Sequence, residues 1–98
     1  MWIETISVRT ARAEQCAMLL REMSDFRNRA FNPVPEWFVC YEKIELENEI
    51  TIHMAWEKKY LSQKKTDCGL LIARRFAQFG IVHHTLWNQA LIFKPEKC

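Results

Sequence analysis

Three histidines, His53, His83 and His84, are the residues of this chain best suited to acid–base chemistry. An imidazole titrates near neutral pH, so it can take up a proton and return it. All three fall in segments where apolar and polar residues alternate. His83 and His84 are adjacent, so on a strand they project from opposite faces and at most one of them can look into a given pocket. Beside a carboxylate such as Glu4, Glu42 or Glu57, one of these imidazoles would be a general base, and the three are the candidate catalytic residues. Hydrogen-bonded within a sheet, the same side chain would be purely structural. A second group is aromatic: Trp37, Trp56 and Trp87, with Tyr41, could line a pocket for a planar organic molecule. The same residue types also supply the core of dimer interfaces. Arg74 and Arg75 read as solvent-exposed. Asn88 and Gln89 could orient a ligand carbonyl or mark where a strand leaves the core.

Composition bounds the functions open to these residues. The chain has 98 residues, 49% apolar and 27% charged, which reads as a single globular domain over residues 1–98 with a modest core of its own. Its formal charge of +2 comes from interspersed acidic and basic residues. No sustained basic face points to nucleic acid, and the cluster Lys58-Lys59 with Lys64-Lys65 reads as a solvated connection. Cys16, Cys40, Cys68 and Cys98 show no CxxC spacing and no cysteine–histidine pairing at zinc-site spacing, so no metal is expected. Cys16 and Cys40 read as small core hydrophobes and Cys98 as a mobile terminal thiol. The start MWIETISVRT has no basic region followed by an apolar one, and no apolar run reaches the roughly 18 to 20 residues of a membrane span. A cytoplasmic protein with free thiols, without nucleic-acid or membrane partners, is the expectation.

The elements that would position these residues follow from hydrophobic periodicity. Trp2 to Val8 alternates as a first strand. Thr10 can cap a helix over residues 11–29, with Ala13, Cys16, Leu20, Met23 and Arg27 as its apolar-side stripe, and Pro33 and Pro35 stop it from continuing. Trp37 to Glu57 reads as two strands around a tight turn near Glu47-Asn48. A polar connection with a helical turn near Tyr60-Leu61 leads to a second helix, capped by Thr66 or Asp67 and running to about Phe79, with Gly80 as its stop. Ile81 to Phe93 makes a last long strand. The order βαββαβ is ferredoxin-like: a four-stranded antiparallel sheet with both helices on one face, an α+β class. The other face is bare, yet the second strand carries large apolar groups on both sides, Trp37, Val39 and Tyr41 against Phe38, Cys40 and Ile44, and the last strand repeats this with Ile81, Trp87, Leu91 and Phe93 against Val82, Leu86, Ala90 and Ile92. At roughly 25 cal/mol per Å² of apolar surface, a wet face forgoes several kcal/mol. A second copy of the sheet would cover it, giving a homodimer.

With that element order, and with Ala55-Trp56-Glu57 ending the third strand before a polar connection, a helix and the strand after Phe79-Gly80, the chain resembles the dimeric α+β barrel proteins. Among these it is most similar to the antibiotic biosynthesis monooxygenase-like families. The resemblance implies two sheets facing each other as a barrel, with a small aromatic or polyketide-like molecule bound in a pocket. It also implies chemistry without a cofactor, as in a monooxygenase or isomerase, in which His53, His83 or His84 moves a proton and Trp37, Tyr41, Trp56 and Trp87 hold the ligand. A non-catalytic ligand-binding or dimerisation module is the alternative. The haem-degrading branch of these proteins uses an asparagine on its first strand and a histidine near its second helix. Neither has a counterpart here, because residues 2–8 contain no asparagine and residues 66–79 no histidine.

Overall fold

In a computed structural model of the chain, the residues described are 1–26, 33–60 and 64–96. They form β1 (Trp2–Thr10), α1 (Ala13–Asp25), β2 (Trp37–Glu42), β3 (Glu49–Trp56), a short 3₁₀ turn (Lys58–Tyr60), α2 (Asp67–Phe76) and β4 (Gly80–Asn88). The helix end beyond Phe26, with Arg27 of the expected stripe, lies outside the described residues, as do Leu61 of the expected turn and Cys98.

The four strands make one antiparallel sheet in the order β2-β3-β1-β4. Alternation in β1 and β3 sorts side chains between its two faces. Trp2, Ile6 and Val8 of β1, with Ile50, Ile52, Met54 and Trp56 of β3, form the core beneath the helices, joined by Cys16, Leu19 and Met23 of α1 and by Cys68, Ile72 and Phe76 of α2. Each large apolar group so buried contributes about 1.5 to 3 kcal/mol relative to exposure. Register fixes the opposite face. Thr5 stands between His53 and Thr85, Ile3 between Ala55 and Trp87, Ser7 between Thr51 and His83, and β2 adds Trp37, Val39 and Tyr41 beside Ala55, His53 and Thr51.

Several boundaries differ from the expectation. Thr10 does not cap α1. It is the last residue of β1, and its hydroxyl donates to the carbonyl of Arg12 at 2.7 Å. The helix begins at Ala13 with Arg12 at its cap position, where the Gln15 carboxamide oxygen accepts the Arg12 amide at 3.1 Å. α2 ends at Phe76, and Gly80 opens β4 instead of stopping the helix. A side chain at Gly80 would overlap the backbone of Arg9, so the closeness of β4 to β1 is what requires glycine there. β4 stops at Asn88, not Phe93, because Asn88 is in register with Trp2, where β1 starts. Beyond that pair no strand of the sheet is left to bond to.

Candidate functional site

The two faces of the sheet hold different chemistry. On the helix-covered face the centre is Glu4, fully buried at the middle of the sheet. An isolated buried carboxylate is costly, so its oxygens must be bonded. Oε1 accepts from the Trp56 indole Nε1 at 3.1 Å and from the Thr66 hydroxyl at 2.6 Å. Oε2 accepts from the Thr66 backbone amide at 3.2 Å and meets His84 Nε2 at 2.6 Å. Thr66 is the N-cap of α2, and its oxygen also accepts the Gly69 amide at 2.9 Å. Thus the carboxylate sits against the positive end of α2, where backbone amides and the helix dipole favour a negative charge. Gly69 leaves it room, since a Cβ there would overlap Glu4 Oε2. His84 is on β4 two positions from Leu86, the residue opposite Glu4, and its side chain is 6% exposed. Trp56 stacks on Trp2 with ring centroids 5.8 Å apart. Among the described residues both carboxylate oxygens of Glu4 are hydrogen-bonded, and the cluster clamps α2 to the sheet.

Two thiols border the same core. Burial, with the Glu4 carboxylate adding to it, pushes the Cys68 thiol up to about 11, and its Sγ lies 3.7 Å from Met54 Sδ. Burial, followed by Glu42 and Cys16, pushes Cys40 up to about 11 as well. Both are therefore poor nucleophiles near neutral pH.

The uncovered face is accessible and is built differently. Trp87 is 60% exposed, and its indole N–H donates to the Thr85 hydroxyl at 2.9 Å and the Thr5 hydroxyl at 3.2 Å. Those two hydroxyls are 2.6 Å apart. His53 is the next residue along this row, in register with Thr5, and the Tyr41 ring meets it edge-on with centroids 4.9 Å apart. Trp37 and Tyr41 are 64% and 48% exposed. A concavity of about 290 Å³ opens at the Tyr41 end, lined by Ser7, Tyr41, Glu49 and Thr51 among others. This is an apolar aromatic surface carrying a few hydroxyls and an imidazole, the composition of a site for a planar organic ligand.

The seven residues singled out by sequence are thus divided between the faces. His53, His83, Trp37, Tyr41 and Trp87 lie on the open face; His84 and Trp56 lie behind the sheet with Glu4. Of the three carboxylates considered as histidine partners, Glu4 pairs with His84. Glu57 instead hydrogen-bonds Glu36 and Lys59, which hold it below the usual carboxylate range while Glu36 is raised. Thr5, Thr85 and Thr66 were missed by sequence reasoning. Thr66 was read only as a cap, and the pairing of Thr5 with Thr85 becomes visible only once the β1–β4 register is known. Among the described residues no cluster of histidine, cysteine and carboxylate side chains could hold a metal ion, and no helix is long and apolar enough to cross a membrane.

Neither a protein-family profile nor a curated protein matches the sequence. The fold does have a match among solved structures. A candidate antibiotic biosynthesis monooxygenase from Deinococcus radiodurans superimposes with a TM-score of 0.64, covering 99% of this chain and 100% of that one at 10% sequence identity. The chain therefore shares the ferredoxin-like α+β fold of that structure. At that identity the likeness is one of architecture, and fold alone fixes no reaction.

Proposed function

We propose that the protein is a cytoplasmic homodimer whose open sheet faces pack together as a barrel, and that the barrel holds a small aromatic or polyketide-like molecule. The observation that carries this reading is the uncovered face itself, where Trp37, Tyr41 and Trp87 remain 64%, 48% and 60% exposed around His53 and a hydroxyl pair. Such a surface gains by leaving water, and its hydroxyls and imidazole supply the few directed contacts that orient a ligand. Within it His53 is the proton-transfer group. It would take a proton from an acidic C–H or O–H of the ligand, the step that begins a cofactor-independent oxygenation or isomerisation. His83, on the same face beside Ser7, is its companion towards the β4 edge.

Titration with a panel of planar polyketide-like phenols, read by tryptophan fluorescence and by product formation in air, tests the reading. Saturable binding, with turnover lost in His53→Ala but binding retained, supports it. Binding without any turnover would leave a non-catalytic binding module. One observation favours that second reading: among the described residues the imidazole–carboxylate pair is His84–Glu4, and it is sealed inside the clamp of α2.

A further inference from the structure

The hydroxyl pair on the open face holds one more hydrogen than its own bonds use. Thr5, Thr85 and Trp87 bring three polar hydrogens, two on hydroxyls and one on the indole nitrogen. Trp87 Nε1 lies 3.2 Å from the Thr5 oxygen and 2.9 Å from the Thr85 oxygen, so its hydrogen is shared between them. The 2.6 Å contact between the two hydroxyls takes a second hydrogen, whichever of them donates it. One hydroxyl hydrogen is left over, on the side of the sheet that no helix covers. Each donor in such a chain polarises the next, so the spare hydrogen is a better donor than that of an isolated threonine. Register puts His53 beside it. Thr5 of β1 is opposite His53 of β3 on one side and opposite Thr85 of β4 on the other, so the imidazole and both hydroxyls form one row across three strands. Neighbouring strands are about 4.8 Å apart. A carbonyl oxygen resting on the threonine pair therefore leaves the carbon next to that carbonyl within reach of the imidazole.

We infer that the spare hydroxyl hydrogen of the Thr5–Thr85 pair donates to the carbonyl oxygen of an enolisable aromatic ketone, and that it holds the charge that forms there when His53 removes the neighbouring C–H proton. The inference rests on the ligand reading of the open face proposed above. In this step the C–H bond breaks, its proton goes to the unprotonated ring nitrogen of a neutral His53, and its electron pair becomes the carbon–carbon double bond of an enolate. The carbonyl π pair moves onto oxygen, where the hydroxyl donates to it. Return of the proton to the same carbon regenerates the ketone, so the step consumes no oxidant. A donor already in place where charge develops stabilises the transition state more than the ground state. Trp87 is a positioning residue, because its N–H fixes both hydroxyl oxygens.

Proton NMR of 2-tetralone in deuterium oxide with the full chain follows this step as loss of the C–H signals beside the carbonyl. Wild type should speed the exchange over the uncatalysed rate, and His53→Ala should not. Valine matches threonine in shape, and Thr5→Val or Thr85→Val alone leaves one hydroxyl whose hydrogen is free. Each single variant should therefore slow exchange by about fivefold or less. Thr5→Val/Thr85→Val has no donor and should be slower by about 100-fold, or fall to the uncatalysed rate. It should keep the wild-type circular dichroism and bind naphthalene, which has no oxygen, as tightly as wild type by tryptophan fluorescence. A pair with a merely structural role would give its full loss at the first substitution. A double variant as fast as wild type, or a single variant as slow as the double, would overturn the role of the pair and leave the ligand site standing. Wild type that binds naphthalene without speeding exchange would overturn the ketone and its proton transfer. Wild type that binds neither compound would overturn the ligand reading together with the inference.

Discussion

At the scale of the residue, Glu4 decides most. It is a fully buried carboxylate with four donors, two of them from one threonine, and removing any partner leaves the others facing an incomplete set. Glu4→Ala should cost about 3 to 5 kcal/mol in urea unfolding, because it leaves the donors of Trp56, Thr66 and His84 without their acceptor at roughly 1 to 3 kcal/mol for each one buried. Gly69→Ala should cost about 2 kcal/mol or more, because its methyl group must displace the Glu4 carboxylate. His84→Ala should lower stability while leaving turnover unchanged below the unfolding temperature, whereas His53→Ala should abolish turnover while leaving stability and ligand binding unchanged. The Cys68 thiol adds a dependence on alkaline pH. Its folded value is raised from 9.0 to about 11, so between those values the unfolded chain sheds a proton that the folded chain keeps. Stability contributed by this thiol is therefore whole below pH 9 and is lost as pH rises towards 11. Cys68→Ala should flatten that part of the stability curve. Glu4 lay in plain view as a carboxylate on an apolar strand, but which face it took, and that His84 would meet it, depended on pairing across 80 residues.

At the scale of the element, the ends of strands and helices differed most from expectation. Alternation and helical stripes located all six main elements, since burial on one face imposes those periods directly. Their ends were set by partners distant in sequence. β4 stops where β1 has no residue left to pair, and α1 starts at Ala13, three residues after Thr10, because that threonine completes β1 and meets Asn48 instead. Trp56 belonged, by its alternation with Ile50, Ile52 and Met54, to the buried face, and grouping it with Trp37 and Trp87 overlooked that parity. The cap of α2 is the element boundary with most at stake. Thr66→Ala removes both the acceptor for Gly69 and a donor to Glu4, and should cost about 2 kcal/mol in thermal or urea unfolding, above the roughly 1 kcal/mol of an ordinary cap.

At the scale of the molecule, the sheet is finished on one side only. The helix face buries Glu4 with the core, while the other face shows Trp37, Val39, Tyr41, Ile81 and Trp87 to solvent, with His53 and the threonine pair among them. That asymmetry was legible in the sequence, because β2 and β4 carry large apolar groups at both parities. What the sequence could not provide was the register that gathers His53, Thr5 and Thr85 into one row. For the proposed sheet-to-sheet dimer, Trp87→Asp should give monomers without unfolding the protomer, as seen by sedimentation velocity, because the residue is 60% exposed in the single chain and a charge there would be buried between the sheets. The most direct measurement of the central claim is a crystal structure of the protein. Two chains related by a twofold axis are expected, with Trp37, Tyr41 and Trp87 buried between facing sheets and a cavity bounded by His53. Sheets that face solvent, or that meet through their helices, would contradict it.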